Sequence, residues 1–272
     1  MAVVLTLVNQ KGGVGKTTTA VNLAAYMAVM GNKVLLMDLD PQANASAGVG
    51  VKVGADERHI YHMLFEPETV DQVIRPTKIK GLDILPAHPD LAGANIELVT
   101  ADGREYKIQR LVDIVRPKYD YIIIDCPPSL GLLTVNAMVA ADQLLIPVQA
   151  EYYALEGLGQ LLHTINLIQN NLKSALGILG AVVTMFDARN RLSQAVRREL
   201  DLYFPNKLFK TIIPRSVRLA EAPSYGQTIL EYAGDSKGAY AYKLLAEEVL
   251  ESSRVKESVP EVAPELINKF TV

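Results

Sequence analysis

The segment Gln10-Lys11-Gly12-Gly13-Val14-Gly15-Lys16-Thr17-Thr18 constrains this chain more than any other stretch. It follows the apolar run Val3–Val8 and opens a helical pattern over Thr17–Met30. A glycine-rich turn between a strand and a helix lets backbone N–H groups point at an anion, because no Cβ blocks the approach. The helix start adds the positive end of its dipole. In this reading Gly12, Gly13, Val14, Gly15 and Thr18 line a phosphate cradle, Lys16 sets an ammonium on the β- and γ-phosphates, and the Thr17 hydroxyl ligates Mg²⁺. The match to G-x-x-x-x-G-K-[ST] is imperfect. Gln10 stands where the first glycine belongs, and an extra lysine, Lys11, enters the loop.

The rest of the pattern predicts an α/β fold. Short apolar runs at Val3–Val8, Lys33–Met37, Leu82–Leu85, Tyr121–Ile124, Gln143–Val148, Ile178–Thr184 and Leu208–Ile212 alternate with helical patterns. The helices are expected at Thr17–Met30, Asn95–Val115, Leu132–Ala140, Leu155–Leu172, Ser193–Tyr203, Val217–Ala222 and Gly238–Ser253. Several of the strand runs are continuously apolar, as in strands buried on both faces. The expectation is one domain over residues 1–253, a doubly wound, mostly parallel sheet with helices on both faces. Residues 43–76 are the least regular part, and residues 254–272 read as a mobile tail.

Carboxylates follow two of the strands. Met37-Asp38-Leu39-Asp40 places two just past a buried run, where ligands bind in open α/β sheets. One can serve the Mg²⁺ water shell and the other can orient or deprotonate an attacking water. Tyr121-Ile122-Ile123-Ile124-Asp125 ends a third apolar run in an acid that can reach Mg²⁺. The following Cys126 reads as a small buried residue. As the single cysteine of 272 residues, it excludes an intramolecular disulfide and a cysteine-only metal site within one chain.

The loop K-G-G-x-G-K-[ST] resembles that of the deviant Walker A ATPases, the ParA/MinD group. The strings Glu151-Tyr152-Tyr153-Ala154-Leu155-Glu156-Gly157, Met185-Phe186-Asp187-Ala188-Arg189 and Leu219-Ala220-Glu221-Ala222-Pro223-Ser224 look like its chromosomal, Soj-type ParA branch. The resemblance covers about Val3 to Ser253. It implies ATP and Mg²⁺ as ligands and a homodimer that sandwiches ATP. In that dimer Lys11 and Glu151 reach the facing subunit's nucleotide, Asp40 handles the attacking water, and Asp38 and Asp125 serve the metal side. It places Pro214 and Ser216 beside the adenine and assigns Arg189 and Arg218 to non-specific DNA binding. It further implies slow hydrolysis stimulated by a ParB-type centromere-binding partner, in the cytoplasm on the nucleoid. Arg215 is left open between nucleotide and DNA. A loop at residue 10 leaves the expectation of no N-terminal operator-reading domain.

Charge distribution points the same way on its own. The chain totals −3, yet Arg189, Arg191, Arg197, Arg198, Lys207, Lys210, Arg215 and Arg218 face only Glu199 and Asp201, a local excess of six. Such asymmetry marks a footprint for a polyanion. No base-reading motif accompanies it, so phosphate contacts without sequence readout are expected. The alternative is an ATP-switched scaffold that positions another cargo or the septum, as MinD does at membranes. Residues 251–272 argue against a membrane helix: four glutamates accompany three basic residues, with Pro260 and Pro264 interrupting. The N-terminus lacks a signal peptide's basic region, and no run reaches membrane-spanning length.

Overall fold

The continuous apolar runs become the inner strands of one sheet. The computed structural model describes residues 1–151 and 153–254, so the expected tail lies outside the described residues from 255 onward. The strands are β1 (Val3–Leu7), β2 (Val34–Asp38), β3 (Arg75–Pro76), β4 (Leu82–Leu85), β5 (Tyr121–Asp125), β6 (Gln143–Gln149), β7 (Gly177–Phe186) and β8 (Leu208–Pro214). They lie in the order β3-β4-β2-β5-β1-β6-β7-β8. All neighbours are parallel except the two-residue β3, which runs antiparallel to β4 at the edge. A strand ending in proline suits an edge, because proline cannot donate to a ladder.

The helices are α1 (Lys16–Val29), α2 (Asn44–Gly48), α3 (Ile60–Met63), α4 (Ala94–Glu97), α5 (Lys107–Val115), α6 (Leu132–Ala140), α7 (Tyr153–Asn171), α8 (Arg191–Tyr203), α9 (Val217–Glu221), α10 (Ile229–Ala233) and α11 (Lys237–Arg254). They cover both faces. Val4, Leu35, Ile122, Ile124 and Ile146 bury against α5, α6, α7 and α8. Their chain neighbours Leu5, Leu36, Ile123 and Leu145 point the other way, against α1 and α11. Period-two alternation with two apolar faces is what a doubly covered parallel sheet demands, and it explains why these strands read as unbroken runs.

α1 is apolar nearly all round because it lies between the sheet, α2, α10 and α11, and its few polar side chains are used inside. Thr19 shares a hydrogen bond with the buried Tyr242 hydroxyl of α11 (3.1 Å). The Asn22 side chain accepts from Ile229 N–H (2.7 Å), which starts α10.

One expected helix is divided. Asn95–Val115 carries apolar residues at helical spacing, but the structure has α4, a 3₁₀ turn over Leu98–Thr100, and then a break before α5. Asp102-Gly103 interrupts the pattern, with Gly103 at a φ of +59° that side-chain-bearing residues rarely adopt. The new helix start is capped from another element. Asn136 of α6 is fully buried, its Oδ1 accepts from Lys107 N–H (2.9 Å) and Ile108 N–H (3.3 Å), and its Nδ2 donates to Arg104 O (2.7 Å). Sequence periodicity contains no sign of a cap supplied from about 30 residues downstream.

Asn136→Ala should therefore destabilise the protein by about 2–3 kcal/mol, since it strands buried backbone donors. A lower urea midpoint with an unchanged slope is the expected result; an unchanged midpoint would mean the cap carries no stability.

Candidate functional site

The parallel strands bring the carboxyl ends of β1, β2, β5, β6 and β8 to one edge, and every expected site residue outside the DNA-binding pair sits at those strand ends, on the loops leaving them or at the start of α1. The glycine-rich loop leaves β1. Gly13 and Gly15 adopt φ of +75° and +87°, so both positions call for glycine. Gly15 is the residue before α1, and that helix has neither a side-chain cap nor an acidic residue in its first turn. Its leading N–H groups are thus left for an anion.

Side chains that sequence reasoning did not single out hold the loop in shape. Asn9 accepts from Lys11 N–H (2.9 Å) and donates to Pro147 O (2.8 Å), joining the loop to β6. Thr184 of β7 donates to Val14 O (2.7 Å). Gln10, the departure from the common loop pattern, donates to Gly157 O of α7 (2.8 Å). A Cβ at Gly157 would lie 2.7 Å from that amide nitrogen, so a larger residue there would make the Gln10 side chain shift. Buried hydrogen-bonding residues on distant strands carry no local sequence signal, so only the fold reveals them.

Asp38 and Asp125 are register partners on adjacent strands β2 and β5, and both are fully buried. They differ in their company. Asp38 accepts from Ser46 N–H (2.8 Å), Ser46 Oγ (2.7 Å) and Asp40 N–H (3.2 Å). It thereby anchors the loop from Leu39 to α2, and Ser46 in turn accepts from Ala87 N–H (3.0 Å) beyond β4. Burial still pushes its carboxyl up to about 6 despite these bonds. Neither oxygen of Asp125 has a hydrogen-bond partner. Burial, and then the charge of Asp38, raise its carboxyl well above the usual carboxylate range, while the nearby Thr17 side chain and Lys16 hold it down. Asp125 is thus the carboxylate with oxygens to spare, and Asp38 has most of its lone pairs engaged.

Lys16 is buried beside this acid group. Burial lowers its ammonium from the usual range, opposed by Asp125, Cys126 and Asp40. Its Nζ donates to Lys11 O (3.3 Å) across the loop. Asp40 is 7% exposed at the mouth of the site, and its Oδ1 accepts from Gln42 N–H (2.9 Å). Cys126 is buried, and burial pushes its thiol up, away from nucleophilic use.

On the outer rim Lys11, Glu151 and Arg215 come together. Glu151 accepts from Gln149 (2.7 Å) and Arg215 (3.3 Å), and its second oxygen lies 3.9 Å from Lys11 Nζ. Arg215 therefore faces this rim, and all three side chains keep solvent access. Pro214 ends β8, and half-buried Ser216 is the extended residue preceding α9, with no side-chain cap bond.

Arg189 and Arg218 are exposed but paired. Arg189 forms a two-point contact with Asp187 (3.0 and 2.9 Å), which holds that carboxyl down at about 2. Arg218 meets Glu221 (3.1 Å). Both acids lie just outside the basic window and soften its excess, and Lys207 donates to Ile178 O (2.8 Å). Arg197 and Arg198 of α8 line a surface cavity with Phe186, Gln194 and Asp201.

The family model described as AAA domain matches residues 2–178. The sporulation initiation inhibitor protein Soj of Bacillus subtilis (strain 168) is 51% identical over 249 residues, covering 92% of this chain and 98% of that protein. Among solved structures, cobyrinic acid a,c-diamide synthase from Mycobacterium smegmatis with bound ADP and magnesium superposes with a TM-score of 0.83 at 34% identity, covering 97% of this chain and all of that one. The septum site-determining protein MinD of Pyrococcus horikoshii OT3, complexed with Mg-ADP, gives a TM-score of 0.76 at 27% identity over 94% of this chain and all of its own. With the variant loop, the strand-end acids and half-identity to Soj over nearly its whole described length, the chain belongs to the ParA/Soj family of chromosome-partitioning ATPases.

Proposed function

We propose that this chain is a chromosome-partitioning ATPase. Its ATP-bound dimer holds DNA by its backbone and lets go when a ParB-type partner stimulates hydrolysis. The observation that carries the reading is the pairing of an uncapped, glycine-led helix start with an unpartnered buried carboxylate one strand away. One feature attracts phosphate and the other a cation, as Mg-ATP requires. The half-identity to Soj supports partition over other uses of the same switch.

The residues present fit magnesium. Asp125 offers two free oxygens in a dry pocket, the Thr17 hydroxyl lies beside it, and a hard oxygen-seeking cation relieves the cost of burying that carboxylate. Magnesium bound with the nucleotide neutralises charge on the β- and γ-phosphates. Lys16 and the N–H groups of Gly12 through Thr18 hold the phosphates. Asp40, at the mouth, orients the attacking water as its general base. Asp38 keeps Asp40 in place by accepting its N–H, and it serves the metal side as the strand neighbour of Asp125. Pro214 and Ser216 flank the adenine.

Lys11 and Glu151 serve the facing subunit's nucleotide in the homodimer, and their solvent access at the rim suits that role. A cation arriving from the partner stabilises charge on the transferred group, as an arginine finger does. Pairing two subunits doubles a weak basic surface, so Arg189 and Arg218 bind DNA with avidity only in the ATP state. Their exposed pairs with Asp187 and Glu221 are readily exchanged for phosphate. The place of action is then the cytoplasm, on the nucleoid.

Three outcomes follow. Asp125→Asn should raise the melting temperature of the nucleotide-free protein, because an unpaired buried charge disappears, and should abolish the further rise given by Mg-ATP. A lower melting temperature without nucleotide would contradict the buried-charge account. Asp40→Ala should slow hydrolysis about 100-fold or more while leaving ATP-dependent DNA retention intact; normal turnover would remove Asp40 from the reaction. Retention of the wild type on DNA, compared with ATP, ADP and no nucleotide at two salt concentrations, tests the function as a whole. It should need ATP and fall steeply with salt, and Arg189→Glu should abolish it while ATP binding is unchanged. Retention that ignores nucleotide, or survives the charge reversal, would reject the switch.

A further inference from the structure

Three of the chain's four histidines, His59, His62 and His88, lie together away from the nucleotide loop. His59 precedes α3, and His88 precedes a 3₁₀ turn over Pro89–Gly93 that begins shortly after β4. His59 is buried (1% exposed), His88 is half-buried, and Asp90 is exposed. One ligand atom from each of His59, His88 and Asp90 lies within 4.8 Å of the other two. His88 Nδ1 is 3.1 Å, and His59 Nε2 3.9 Å, from the same oxygen of Asp90.

We propose that His59, His88 and Asp90 form a binding site for a transition-metal cation of the Zn²⁺ type, separate from the magnesium and nucleotide site.

Donor chemistry and geometry support this. The donor set of two imidazoles and a carboxylate is one that Zn²⁺ takes with a fourth position open to water. Ligands at about 2.0–2.1 Å from a tetrahedral ion stand about 3.3 Å apart, so small side-chain rotations close the triad. The separation is set by backbone: His59 and His88 both occupy extended positions at helix starts, and Ile60 N–H donates to Pro86 O (3.0 Å) to tie the two segments together. His59 presents its Nε2 to Asp90, and its other ring nitrogen, Nδ1, is buried without a partner. His62 lies outside the triad, its Nδ1 accepting from His59 N–H (3.3 Å); His88 Nδ1 also accepts from Asp90 N–H (3.4 Å), a long bond that the ion would displace. Asp90, the exposed member, gives the ion a path from solvent.

The site touches the first acidic loop through one residue. Ala87, next to His88, donates to Ser46 Oγ, and Ser46 holds Asp38. A metal fixing residues 59–63 to 88–90 therefore also steadies the segment on which Asp38 depends.

Untagged protein, stripped with chelator, should be titrated calorimetrically with ZnCl₂ and followed with CoCl₂ by its visible absorption. One equivalent of Zn²⁺ per chain should bind, and Co²⁺ should give the intense absorption of a four-coordinate nitrogen–oxygen site. His88→Ala should weaken binding by more than about 10-fold. Asp90→Asn changes an exposed side chain and guards against misfolding in the first variant; it should weaken Zn²⁺ binding as well. Asp125→Asn should leave Zn²⁺ binding at this site intact, which separates it from the nucleotide's magnesium. No bound equivalent, or wild-type affinity in both His88→Ala and Asp90→Asn, would overturn the assignment.

Discussion

A cluster of carboxylates taken out of water at one edge of a parallel sheet sets the terms for the rest of the molecule. Asp38 and Asp125 end adjacent strands at zero exposure, and Asp40 stands almost as deep two residues on. Like charges in a buried pocket oppose one another: Asp40 raises the proton affinity of Asp38, and Asp38 and Asp40 raise that of Asp125. Lys16 answers part of that charge, but its own burial weakens it as a cation. The protein's own groups therefore leave the cluster poorly balanced, and in the proposed function Mg-nucleotide would supply both the missing cation and the anion that Lys16 and α1 attract.

The loops around this pocket are tied to one another by single polar side chains. Asp38 holds Ser46, and Ser46 holds the backbone after β4. Asn9 and Thr184 bind the phosphate loop to β6 and β7, and Gln10 binds it to α7. In the proposed function, a change at the phosphates would have hydrogen-bonded routes to α2, to α7 and to the rim where Lys11 and Glu151 meet. α2 in turn packs on the segment after α9, where Gly50 and Gly226 approach so closely that a Cβ on Gly50 would lie 2.8 Å from Gly226 O. The basic surface at Arg218 is therefore a neighbour of α2, since α2 and α9 both pack on the turn over Ala222–Tyr225.

Much of this is legible in the sequence. The strand–loop–helix order around Gly12 to Thr17 and the acids after continuous apolar runs are local patterns with local causes, and the doubly wound sheet follows from those runs. The division of residues 95–115 is not legible, because Asn136 caps α5 from another helix. Nor is the unequal standing of Asp38 and Asp125. Both read as acids beyond buried strands, and only the arrival of Ser46 beside one of them separates anchor from free ligand. The histidine group escapes notice because His59 and His88 are far apart in the chain and meet only when the segments after β2 and β4 are laid side by side.

By itself, the sequence determined the fold class, the glycine-rich loop between strand and helix and the acids at the ends of apolar runs, because hydrophobic period, glycine conformation and charge are properties of neighbouring residues. Tertiary structure alone decided which of those side chains are satisfied and which are left wanting. Lys11 meets Glu151, Arg189 meets Asp187, Ser46 completes Asp38, and Asp125 goes without. Partnership of that kind depends on burial and on distances between chain segments far apart in sequence, and these exist only once the sheet has assembled.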